Sequence, residues 1–121
     1  MSENAATIRH MLNRAALVVR PLQPCLDWAK SVQDSETLAD YEAEATVYLI
    51  PAIESDQEEH EVLLKIYPKV FERELFEWHT DESAWPKDRS LLVFMKWFKI
   101  EIHSIVEDLC PYPLEDDADD A

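Results

Sequence analysis

The sequence predicts an α+β fold, a small three-stranded sheet with helices mainly on one face. Three observations carry this. Two short β-branched runs, at 15–19 and 46–50, are each followed by proline, at Arg20-Pro21 and Pro51. A third run, 99–107, alternates apolar and polar residues with the period of a strand. Between the strands, apolar residues recur with helical spacing. The polar side of the third run argues against helices on both faces, and a small doubly wound α/β sheet is the alternative. No local pattern encodes the strand order.

Each element has a local reason. The run at 15–19 is apolar throughout, as a buried strand requires. Pro24 suits the first turn of a helix, where its missing N–H costs nothing, and Cys25, Leu26, Trp28, Ala29 and Val32 form that helix's apolar side. A short helix capped by Thr37 is expected within 33–45. Ser55-Asp56-Gln57-Glu58 reads as a capping box that starts a helix at Asp56, with Val62, Leu63, Ile66 and Tyr67 as its buried stripe. Pro68 is expected to interrupt this helix, and Phe71, Leu75 and Trp78 to continue the apolar face to a stop near His79. Asp88 is the expected cap of a last helix carrying Leu91, Phe94, Met95 and Phe98. In the third strand Ile100, Ile102, Ser104 and Val106 point one way, and Lys99, Glu101, His103, Ile105 and Glu107 the other. The expected core includes Leu17, Val19, Leu49, Ile100 and Ile102, and Ile102→Ala is expected to cost about 2–5 kcal/mol. The domain reading is a loose arm at 1–12, one domain at 13–114 and an acidic, disordered tail at 115–121.

Composition narrows the function. The chain of 121 residues contains no glycine. Phosphate loops, dinucleotide-binding turns and nucleophile elbows depend on glycine, so none is present in its usual form. The net charge is −15, and it is unevenly placed. Residues 34–61 hold ten acids with no Lys or Arg, and residues 115–121 hold five more acids. Direct binding to nucleic acid or to an anionic membrane needs a basic footprint and is disfavoured. No apolar run is long enough to span a bilayer, and residues 1–12 lack the pattern of a secretory signal, so the expected location is cytoplasmic. Cys25 and Cys110 are then expected to be reduced.

Candidate chemistry is sparse. His103 shares a strand face with Glu101 and Glu107, either of which can orient the imidazole. Arg20 follows the first strand, at a strand end where open sheets place ligands, and can pair with a carboxylate or phosphate or with an internal acid from 34–44. Glu54, Asp56, Glu58, Glu59 and Glu61 form the dense end of the acidic stretch. His60 among them is not part of a His-Glu-x-x-His motif, and His79 sits near a helix end. Among the aromatics of the second half, Phe94 and Phe98 read as core, while Trp85 and Trp97 are expected to be partly exposed. No spacing of His, Cys, Asp or Glu matches a metal motif, and no cofactor is implied.

Asn13-Arg14-Ala15-Ala16-Leu17-Val18-Val19-Arg20-Pro21, with Pro24 and Asp27-Trp28, resembles the opening of a group of small uncharacterised bacterial proteins. Thr46-Val47-Tyr48-Leu49-Ile50-Pro51 and Trp85-Pro86 resemble later landmarks of that group. Some of its members carry a virulence-associated lipoprotein label, and the resemblance implies no activity, cofactor or catalytic residue. Two functions remain as expectations. The first is a cytoplasmic interaction or regulatory protein, without catalysis, that docks a basic partner on Glu54, Asp56, Glu58, Glu59 and Glu61. The alternative is a small-ligand protein or enzyme with its site at Arg20, Glu101 and His103.

Overall fold

The computed structural model describes residues 11–32 and 44–116. The elements in chain order are β1 (Arg14–Pro21), α1 (Gln23–Val32), β2 (Thr46–Pro51), α2 (Asp56–Trp78), a single 3-10 turn (Glu82–Ala84), α3 (Leu91–Trp97) and β3 (Phe98–His103). The helix expected from Thr37 lies outside the described residues. The three strands form an antiparallel sheet in the order β2-β1-β3, which makes the fold α+β and excludes the doubly wound alternative. β1 takes the centre because its run is apolar on both faces, and a central strand is covered by neighbours along both edges.

The register separates the two faces. Ala15, Leu17 and Val19 lie opposite Ile50, Tyr48 and Thr46 on β2, and Leu17 and Val19 lie opposite Ile102 and Ile100 on β3. These residues face the helices, where Cys25, Val70, Phe71, Leu75, Phe94 and Phe98 complete the core. The other face carries Val47, Leu49, Arg20, Lys99, Glu101 and His103, all exposed. Leu49, expected in the core, is 48% exposed, and its neighbour Ile50 is buried instead. The period of a strand is two, so fixing Ile50 inward turns Leu49 outward. Ile100 and Ile102 point inward as expected but are only half-buried, because β3 is an edge strand. The expected cost of Ile102→Ala therefore falls to about 1–2 kcal/mol, and Leu49→Ala to below about 1 kcal/mol, both measurable by urea denaturation. A Leu49→Ala loss larger than that of Ile102→Ala would show that the faces are inverted.

Several element ends differ from expectation. Pro21 and Pro51 are the last residues of their strands rather than residues beyond them, so Arg20 lies inside β1. A proline at a strand end removes one donor without breaking the ladder. α2 runs through Pro68 without interruption. Proline removes the N–H that would bond to Leu64, but both residues are exposed, so water can serve the freed carbonyl. Burial of Val70, Phe71 and Leu75 beyond it holds the helix together. Ser55 caps α2 as expected, accepting from the Glu58 backbone N–H at 3.2 Å.

The last helix is capped by Ser90, whose hydroxyl accepts from the Val93 N–H at 3.3 Å; Asp88 instead accepts from the Ser90 N–H at 3.1 Å. Phe98 leaves that helix and opens β3, although it remains buried, and Met95 is exposed. β3 stops at His103, short of the expected end. Beyond it, Met11 bridges to Glu107, and the Leu12 N–H donates to the Val106 carbonyl at 2.7 Å.

The absence of glycine has a visible consequence. No described residue has a positive φ. α2 and α3 do not end in the left-handed turn that glycine favours. They pass directly into extended backbone, at His79 (φ −157°, ψ 123°) and Phe98 (φ −134°, ψ 140°).

Candidate functional site

The antiparallel register brings Arg20, Glu101 and His103 to the same uncovered sheet face. His103 Nε2 stands 3.6 Å from Glu101 Oε1, an ion pair when the imidazole is protonated. Arg20 lies opposite Lys99, and His103 opposite Ala16, four residues further along β3. Four residues of strand span roughly 13 Å, so Arg20 and His103 share a face but not a point of contact. All three side chains stand in solvent. Two exposed charges gain little from each other there.

The acidic stretch is described from Glu44 onward. Glu44, Glu54, Asp56 and Glu61 are exposed, and Glu58 and Glu59 are half-buried. Asp56, Glu58 and Glu59 occupy the first turn of α2, where the helix dipole favours negative charge. Glu58 also has a structural task, because its Oε1 accepts from the Glu54 backbone N–H at 3.2 Å. Glu61 accepts from Gln57 Nε2 at 3.2 Å. Among the described residues, none of these carboxylates reaches a Lys or Arg at ion-pair distance.

One carboxylate was not among the expected candidates. Glu74 on α2 is 5% exposed, in the core beneath β2. The Tyr48 hydroxyl donates to Glu74 Oε2, and the Thr46 side chain is a second partner. Burial pushes the Glu74 carboxyl above its ordinary range, and these hydrogen bonds act in the opposite direction. Tyr48 is raised as well, by burial first and then by its bond to Glu74. Cys25 lies close enough for the Glu74 charge to act on it. Its thiol is pushed up to about 12, mainly by burial, so it holds its proton at neutral pH and is no nucleophile. Helical spacing carries the signal for Glu74: it sits three residues after Phe71 and four before Trp78, on the apolar stripe itself.

The aromatic residues divide differently from expectation. Trp85 is buried, because its Nε1–H donates to the His79 carbonyl at 2.8 Å and so satisfies its only donor. Arg89 lies over its ring at 5.8 Å. Trp97 is partly exposed as expected, half-buried against Trp28 at 5.9 Å.

Two clefts flank Lys69 and Arg73 on α2, and neither includes an expected site residue. The larger, of about 370 Å³, is lined by Lys69, Glu72, Arg73, Phe76 and Trp85. The smaller, of about 240 Å³, lies between residues 48–51 of β2 and Ile66, Lys69, Val70 and Arg73 of α2. Among the described residues no group of three or more His, Cys, Asp or Glu is placed to hold a metal ion. Both cysteines are free. No described helix is long and apolar enough to cross a membrane. No protein-family model, curated protein or solved structure matches this chain.

Proposed function

We propose that this chain is a non-catalytic interaction protein that docks a basic partner on the acidic surface between Glu44 and Glu61. One observation carries the reading: four carboxylates, Glu44, Glu54, Asp56 and Glu61, face solvent with no Lys or Arg in reach among the described residues. Such a surface attracts a cationic partner and speeds the encounter. The exposed Val47, three residues after Glu44, adds an apolar contact. A reducing, cytoplasmic setting belongs to this reading, and the free Cys25 and Cys110 support it.

The test is capture on the immobilised chain, followed by titration with the purified partner. Glu44, Glu54 and Glu61 are the positions to reverse to Lys, because Glu58 and Asp56 support the start of the helix. The triple variant is expected to bind roughly tenfold to a hundredfold more weakly, with unchanged far-UV dichroism. Undiminished binding by a folded variant would end this reading.

A further inference from the structure

We propose that the groove between β2 and α2 receives residues 109–121 of a second copy of this chain as an added strand. The argument begins at the edge of the sheet. β2 pairs only with β1, so its other edge presents unpaired backbone groups among the described residues. The smaller cleft is lined by four consecutive residues, Tyr48, Leu49, Ile50 and Pro51. Successive side chains of a strand point to opposite faces, so a cleft that touches all four runs along the edge. Its other wall is one helical face, Ile66, Lys69, Val70 and Arg73, spaced by three, one and three residues. An extended peptide laid in such a groove gains main-chain bonds from the edge and side-chain contacts from the helix.

Charge and sequence choose the occupant. Lys69 and Arg73 are exposed, and neither is within ion-pair distance of a carboxylate among the described residues. They form a local positive site in a chain of net charge −15. Residues 109–121 combine apolar and acidic groups: Leu109, Tyr112 and Leu114 are 81%, 70% and 68% exposed, and five acids follow at 115–121. None of residues 109–116 lines the groove of its own chain, which accords with an occupant from another copy.

Pro111 and Pro113 fit the proposal. Backbone N–H groups alternate sides along a strand, so both missing donors fall on one edge, and the opposite edge keeps the N–H groups of Tyr112 and Leu114 to pair, while the Cys110 N–H already donates to Asp108 Oδ1 at 2.8 Å. The fixed φ of proline also holds the segment extended before it binds.

The probe is a synthetic fluorescent peptide of residues 109–121 with serine in place of Cys110, titrated with the full chain and read by anisotropy. Saturable binding is expected, weakened at least about tenfold by Lys69→Glu combined with Arg73→Gln, with far-UV dichroism confirming the fold. The single variant Lys69→Glu, at an exposed position, is the second measure and is expected to weaken binding in the same direction. In sedimentation the full chain is expected to associate with concentration, and Leu114→Asp to reduce that association. Absence of saturable binding overturns the proposal. So does equal binding by a scrambled peptide, equal affinity of the folded Lys69→Glu chain, or a chain that stays monomeric at every concentration.

Discussion

Replacing Phe71 by alanine is expected to cost about 3–5 kcal/mol, the largest loss from any single side chain described above. Phe71 is fully buried, and its ring centroid lies 5.6 Å from Phe94, 5.9 Å from Trp97 and 5.5 Å from Phe98. It therefore joins α2 to α3 and to the start of β3 at one point. Domains of this size are stable by about 5–15 kcal/mol, so the loss takes much of the total. Urea denaturation followed by far-UV dichroism measures it. Phe76, on the same helix but exposed, is the control, and Phe76→Ala is expected to cost less than about 1 kcal/mol. Equal losses for the two variants would mean that the aromatic cluster is not the centre of the core.

The second expected result is a stability that falls as pH rises, through Glu74. Its ordinary value is 4.5, and burial raises it in the folded protein. Between 4.5 and the raised value the native state holds one more proton at this site than the unfolded state. Stability from this site is thus complete below about pH 4.5 and is lost as pH rises through the folded value, with a slope of at most about 1.4 kcal/mol per pH unit. Glu74→Gln keeps an oxygen for the Tyr48 hydroxyl and removes the titration. The difference in unfolding free energy between the two proteins is expected to change with pH in that window, in favour of the Gln variant as pH rises. Taking the difference removes the background of the other carboxylates. Tyr48→Phe takes away a donor that favours the charged form, so it should extend the window to higher pH. Parallel curves for wild type and Glu74→Gln from pH 4 to 8 would show that Glu74 has no such role.

Much of this architecture was legible in short stretches of sequence because local sterics and hydrogen bonding decide it. The two β-branched runs became β1 and β2, the Ser55 cap opened α2, and the alternation read over Lys99–Glu107 assigned the correct faces to Ile100, Ile102, Glu101 and His103. The errors fell where neighbours far along the chain decide. Pro68 carries a local preference to end a helix, yet packing of Phe71 and Leu75 outweighs it. Leu49 and Ile50 are adjacent and equally apolar, so which one turns inward depends on pairing with Ala16 and Ala15. Trp85 is the exception: the carbonyl that accepts its N–H is only six residues away, but the residue lies in a connection with no period to read.

The same division holds for the sites. Sequence alone determined the concentrated acidity and the absence of glycine-dependent motifs, and among the described residues the lack of any positive φ accords with it. Tertiary structure alone decided that Arg20 joins Glu101 and His103 on one open face, that Glu74 meets Tyr48 in the core, and that Lys69 and Arg73 border a groove at the sheet edge. The physical reason is range. Propensity, capping and charge count act over a few residues, whereas strand register and burial join groups tens of residues apart, and only the folded chain brings them together.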